Sequence, residues 1–446
     1  MGKAPRVRVG DQVHKKGNQK GLVLVAVLWL VMVLLVIVAT VGRTSRLDSR
    51  ICLFETEEMR CKWACRAGVE TAIAVLNEDF KESDCLTDLW SDNDDDFNDV
   101  ALEKCWFSVK VIDEASKLNV NTATREQLME LPDMEQQIAD AIIDWRDEND
   151  TPGTEGVEAG YYENLPFGYF IRNGPFRTIR ELLLVRGVTE ELLYGEDTNL
   201  NGQLDYNEAD GSENPPADDG DDELDQGWIA YLTCYSYDRN QDAAGEERIN
   251  INEANEGQLT RSLGIRRSQA RWIVENRSGN GYESIADLIN RNSPREPANQ
   301  TRRDSDQAEP LDLQTFAQIA DRITVDDNDE VPGRINVNTA PAPVLTALLG
   351  DDDRAEILAD NIVAYRAGLL DGMEGIAELL QVQSMDIDTF KTIANDVTTR
   401  SAVYTIRCIA TADRSGSSGA TVQTEAVVDR SSQPCTILYC YQGASY

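Results

Sequence analysis

From Leu22 to Ala39 the chain sets 18 apolar side chains in a row, and after a short polar stretch the pattern changes. Leu47, Ile51, Phe54, Cys65, Val69, Ala72, Ile73, Leu76 and Phe80 then recur at three- and four-residue steps. The first pattern predicts a helix apolar on every side, the second a helix with one buried face. No proline stands between Pro5 and Pro132, so one helix can run from Leu22 to about Phe80, roughly 90 Å at about 1.5 Å per residue. Its first half approaches the roughly 30 Å hydrocarbon thickness of a bilayer. That run exceeds the apolar core of a removable secretory signal, about 7–15 residues, and Ala39-Thr40-Val41-Gly42 is a poor cleavage site for one. No other stretch is long and apolar enough to span.

Residues 81–104 read as a polar, acidic loop. Cys105, Phe107, Val109 and Val111 then alternate with Ser108 and Lys110, which predicts a strand. Further strand patterns wait at 404–412, 420–430 and 436–441, with a hairpin loop at 413–419. Strands therefore flank a helical middle, as though residues 118 to about 395 were inserted into a helix-plus-sheet domain.

That middle repeats itself. "LNVNTA" (118–123), "ININEA" (249–254) and "INVNTA" (335–340) are each followed by apolar helical spacing and an arginine: Arg146, Arg277 and Arg366. Each copy then carries a related tail, "FRTIREL" (176–182), "YESIADL" (282–288) or "MEGIAEL" (373–379). The spacing predicts a capped helix, a tight turn and a second helix, with Asn121, Asn252 and Asn338, or the Thr or Glu beside them, as caps. Such a unit resembles the helix-hairpin-helix fold, which contacts DNA backbones through hairpin N–H groups. Here the hairpins read Pro132-Asp133-Met134-Glu135, Gly264-Ile265-Arg266-Arg267 and Gly350-Asp351-Asp352-Asp353. Two of the three repel phosphate, which favours a scaffold; Arg266, Arg267 and Arg271 make the middle copy the DNA-competent candidate.

Charge is unevenly spread. The first 20 residues carry six Lys/Arg against Asp11, and the rest of the chain brings the net to −37. A basic head before an apolar run predicts a cytoplasmic head and an acidic body across the membrane. So acidic a body favours cations or basic surfaces as partners over nucleic acid. Nine cysteines fit an oxidising compartment, although their connectivity is not deducible; Cys85 with Cys105 is a plausible bridge, and Cys61 and Cys65, one helical turn apart, read as helix-face packing.

"DTNLNGQLDYNE" (197–208) fits a twelve-residue calcium loop. Asp197, Asn199 and Asn201 stand at positions 1, 3 and 5, and Gly202 allows the sharp turn at 6. Gln203 offers its backbone carbonyl, Asp205 stands at 9 and Glu208 at 12. Leu204 is the expected apolar anchor. Hard oxygen ligands suit calcium. Asp219, Asp221 and Asp225 read as solvated acids or helpers of this loop, with a second, degenerate site as the alternative. The only histidine is His14, in the basic head, and nucleophile-elbow, P-loop and dinucleotide motifs are missing, so an enzyme is not expected.

Taken together, the basic leader ending in glycine, the apolar stem, the split strand domain, the repeats and the calcium loop resemble protein K of the type II secretion system. "AIIDWRDEND" (141–150), "YYENLPFGYFIRNGPFRTIRELLLVRGVTEELLYG" (161–195), "INVNTAPAPVL" (335–345) and the C-terminal strands carry the resemblance most specifically. It implies a minor pseudopilin: an α+β, pilin-like fold in which the long helix packs on a small antiparallel sheet, with a large inserted all-α domain of helix-hairpin-helix-like repeats. The implied division is a leader (1–21), a transmembrane half-helix (22–42), an amphipathic helix with the first strand (43–117), the inserted domain (118–395) and the last strands (396–446). Prepilin peptidase is expected to cut between Gly21 and Leu22 on the cytoplasmic side, leaving a methylated Leu22 and a single-pass inner-membrane protein with a periplasmic body. Most pilins carry Glu at the fifth mature position; this chain has Ala26, as the resemblance implies for the subunit at the tip of a pseudopilus, beside minor pseudopilins of the I and J types. Calcium in the inserted domain is also implied. Rival readings are a membrane-anchored helix-hairpin-helix DNA receptor and a calcium-dependent surface protein.

Overall fold

The structure, a computed structural model, describes residues 2, 19–79, 82–211, 214–216, 218, 220–277, 279–289, 308–350, 354–412 and 419–444. The leader from 3 to 18, residues 351–353, Asp219 and most of the 413–419 loop lie outside them. The chain divides into two compact units, Met1–Met59 and Arg60–Tyr446. Helix α1, Gln19–Glu78, contributes to both. In the first unit the side chains from Leu22 to Val38 are exposed, and the helix is long and apolar enough to cross a membrane. Thr40 and Thr44 return their hydroxyl hydrogens to carbonyls of the preceding turn, so these polar side chains need no outside partner.

In the second unit, an antiparallel sheet is built from β1 (Val100–Leu102), β2 (Cys105–Asp113), β3 (Val403–Thr411), β4 (Thr421–Asp429) and β5 (Thr436–Ala444), in that order. The pairing of Val109 with Cys408 joins strands from opposite ends of the inserted segment. Alternation sends Phe107, Val109, Val111, Tyr404, Ile406 and Cys408 to one face, where they meet Cys61, Cys65, Val69, Ala72 and Leu76 of α1. Gly68 allows the close approach: a Cβ there would stand 2.6 Å from Cys408 Sγ and 2.9 Å from Phe107. The acidic stretch 81–104 is more than a loop, because two apolar residues anchor it. Trp90 is buried edge-on to Tyr404, with ring centroids 5.1 Å apart, and Phe97 is buried just before β1.

The three copies share two hydrogen-bonding devices. Arg146, at the end of α3 (Gln136–Arg146), donates to the carbonyls of Val120 and Ala123 beside α2 (Arg125–Met129). Arg277, just beyond α5 (Arg267–Glu275), does the same to Ile251 and Ala254 before α4 (Glu256–Leu263). Arg366 of α7 (Ala355–Ala367) donates to Val337 and Ala340, both at 2.7 Å, before α6 (Ala342–Leu349). The recurring asparagines do not cap these helices; Thr124 and Asn255 cap the first two, three residues downstream of the expected positions, and Pro341 precedes the third. Asn121, Asn252 and Asn338 instead exchange a pair of bonds with the backbone of Phe176, Tyr282 and Met373, pinning each tail to its repeat.

An all-α insertion is therefore too simple. Each copy opens on a two-residue strand that pairs in parallel with a later one: Leu118–Asn119 with Leu232–Thr233, Ile249–Asn250 with Ile323–Thr324, and Ile335–Asn336 with Val397–Thr398. The tails are 3-10 turns at Ile179–Leu184, Ile285–Leu288 and Ile376–Gln381. One apolar core runs through all three copies, from Leu118 to Val397. Asp113, at the end of β2, ties this core to the sheet. Its carboxylate accepts from Thr339 at 2.6 Å, Ser401 at 2.7 Å and Asn336 at 3.0 Å, while burial pushes its pKa up to about 6.

Candidate cation-binding centres

The loop 197–208 is bent by its own side chains. Asp197 accepts from the N–H groups of Asn201 at 2.8 Å and Gly202 at 3.0 Å, and Leu200 and Gly202 take positive φ of 57° and 68°. Asn199 Oδ1 accepts from Asn201 N at 2.9 Å, Asn201 Oδ1 from Gln203 N at 2.6 Å, and both amides donate to Asp205 Oδ2 at 2.8 Å. Glu208 Oε2 accepts from Asp205 N at 2.9 Å, but Glu208 Oε1 is buried without a partner. Asp197 and Glu208 are 2% and 1% exposed. Burial raises the pKa of Glu208, and the negative charges of Asp205, Asp197 and Glu196 raise it further. An orphaned carboxylate oxygen among acids fits a hard cation, since each hydrogen-bonded oxygen keeps a second lone pair. The anchor differs from expectation: Leu204 is exposed, while Leu200 is buried and its carbonyl accepts from Gln423 of β4 at 3.0 Å. Asp221 caps the N–H of Glu223, and Asp225 pairs through its backbone with Glu196.

A second cluster follows no sequence motif. Asp144 and Asp147, at the end of α3, meet Glu158 from the following loop, with one ligand oxygen of each within 4.8 Å of the others. Asp144 is fixed by the N–H of Gly153, at 3.0 and 3.1 Å to its two oxygens. At Gly156 a Cβ would come within 1.8 Å of Asp144 Oδ2, so only glycine lets the loop fold over the carboxylate. Glu158 is 8% exposed, and neither of its oxygens has a partner. Burial, followed by the charges of Asp144, Asp147 and Asp150, pushes its pKa up to about 7.

The third acidic group, Asp79, Asp84 and Asp88, brings its own cation. Arg430 lies 3.0 Å from Asp79 and 2.8 Å from Asp84. The basic hairpin of the middle repeat is likewise matched internally: Arg266 lies 3.1 Å from Glu309, and Arg267 and Arg271 lie 3.6 and 3.5 Å from Glu256.

Two family models for protein K of the type II secretion system match the chain, one at residues 108–194 and the other at 335–400. Together the two matches cover about a third of the chain, which is similar over those stretches to protein K of the type II secretion system. The first match contains the Asp144–Asp147–Glu158 cluster, and the calcium-type loop begins just beyond it. A chain in the crystal structure of the GspK-GspI-GspJ complex from the enterotoxigenic Escherichia coli type 2 secretion system is similar at 13% identity, with a TM-score of 0.46. The similarity covers 87% of this chain and 98% of that one. A comparison with curated proteins gives no match.

Proposed function

We propose that this chain is a minor pseudopilin that caps the tip of a type II secretion pseudopilus, starts its assembly and supports export across the outer membrane. The paired family matches, on the first and third repeats, carry the proposal. Prepilin peptidase cuts between Gly21 and Leu22, the apolar half of α1 stays in the inner membrane, and the body stands in the periplasm beside minor pseudopilins of the I and J types. Ala26 supports a tip position. A buried carboxylate is stable only with a partner, and a terminal subunit has no amino terminus ahead of it to supply one. The helix-hairpin-helix-like repeats act as scaffold; their middle arginines are paired with the protein's own carboxylates, which leaves the DNA-receptor reading without support. Gold labels on an engineered tag in the body should mark one end of each isolated pseudopilus. Labels spaced along the shaft would contradict a cap.

Within the body, calcium is the proposed ligand of both orphaned-carboxylate centres. Asp197, Asn199, Asn201, the Gln203 carbonyl, Asp205 and Glu208 would hold one ion, and Asp144, Asp147 and Glu158 another. A bound divalent ion neutralises the crowded carboxylates and fixes two long connections of the insertion. Glu208→Gln should weaken calcium binding to the loop on the order of 100-fold, because the ligand charge falls and a bidentate oxygen pair is lost. Competition against a chromophoric chelator measures this directly. Unchanged affinity of two sites in the variant would remove the loop from the account.

A further inference from the structure

Four of the nine cysteines meet in two contacts between α1 and the sheet. Cys61 Sγ lies 3.9 Å from Cys105 Sγ of β2, and Cys65 Sγ donates to the carbonyl of Cys408 of β3 at 3.5 Å and to that of Val422 of β4 at 3.2 Å. All four are buried, and each pair takes one member from the helix and one from the strands. Neighbouring positions on the same face of the helix are Ala64, Val69, Ala72 and Leu76, which pack against the sheet without sulfur. Cysteine as a small hydrophobe would suffice for filling space, but that reading does not explain why each helical cysteine finds a strand cysteine. A shared metal is not indicated, since among the described residues the ligand groups of three or more are carboxylate clusters. The bridge suggested by spacing, Cys85 with Cys105, is not formed: Cys85 Sγ contacts Thr87 at 3.1 Å and Asp88 at 3.3 Å.

We propose that Cys61–Cys105 and Cys65–Cys408 are disulfides of the mature protein, stapling the helix to the sheet. The inference rests on the reading that places the body in an oxidising compartment. In each step two thiols form one S–S bond, and their two hydrogens and two electrons pass to a protein disulfide of the thiol–disulfide exchange class, which is reduced to its dithiol. Burial means that oxidation precedes the final docking of α1. Closing each bridge draws the sulfurs to about 2.05 Å, at a seam where each helical cysteine already touches its strand partner. The second bridge encloses the whole insertion, so an open or partly unfolded insertion would leave the helix and the last strands joined.

The test is a non-reducing peptide map of the full chain, from cells lysed directly into denaturant with excess alkylating agent so that buried free thiols also react. Trypsin cuts after Lys62 and so separates the two helical cysteines. The expected products join Cys61-Lys62 to the peptide starting at Cys105, and the peptide ending Cys65-Arg66 to the one starting at Cys408. In Cys105→Ser, Cys61 should become alkylated while Cys65–Cys408 persists. Alkylation of all four without reduction, or any other pairing, overturns the proposal. If the same sample shows a Leu22 amino terminus, the failure belongs to the disulfides alone; if it shows an unprocessed chain, the underlying reading has failed as well.

Discussion

Replacing Glu158 by glutamine should abolish one calcium site and flatten much of the pH dependence of stability in chelator. Both oxygens of Glu158 are buried without a partner, beside the charges of Asp144, Asp147 and Asp150. Its folded pKa, about 7, stands above the ordinary value of 4.5. Between those values the folded chain holds more protons than the unfolded one. Without calcium, the contribution of Glu158 is therefore fully present below about pH 4.5 and is lost as pH rises through about 7. Calcium favours the ionised carboxylate and should reverse the trend, adding RT ln(1 + [L]/Kd), or about 2.7 kcal/mol at a hundredfold excess over Kd. Glu158→Gln cannot ionise, so at pH 7.5 in chelator it should melt no lower than the native chain. In calcium it should lose the stabilisation that the native chain gains from this site. Thermal unfolding across pH 5 to 8, with and without calcium, decides the matter; a variant that gains as much from calcium as the native chain would exclude the cluster as a cation site.

Arg430→Met should cost about 3–5 kcal/mol, the penalty for leaving a buried charge without its partner. The guanidinium donates to both oxygens of Asp84 at 2.8 Å, to Asp79 at 3.0 Å and to the Ser401 carbonyl at 2.9 Å. It also lies 5.0 Å from the ring centroid of Tyr404. The Asp84 side chain is 1% exposed, so water cannot replace the lost cation. Arg430→Lys keeps the charge but not the planar fork, and should recover only part of the loss. Denaturant midpoints of the three proteins measure the difference, and equal midpoints would show that the cluster is solvated rather than dependent on Arg430.

These two centres show what was legible in the chain and what was not. The long helix and the strands could be read because periodicity is local: period 3.6 over Val69, Ala72 and Leu76, period 2 over Phe107, Val109 and Val111. The repeats were visible as repeated letters, but the role of the letters was not. Asn121 looks like a helix cap, and only its bonds to Phe176, 55 residues away, show it to be a pin. The partner strands at Leu232, Ile323 and Val397 are two residues long, too short to carry a period. The calcium-type loop was legible because its ligands are consecutive. The Asp144 cluster was not, because it joins a helix end to a later loop, and its signal is an unsatisfied buried oxygen. Leu204 took the anchor position by template, whereas the docking of the loop on Gln423 buries Leu200.

Mass spectrometry of the amino-terminal peptide, from protein extracted out of its native membrane, tests the central claim most directly. A pseudopilin should yield a peptide that begins at a methylated Leu22. A chain that keeps Met1, or one cut beyond Gly42, would contradict the account.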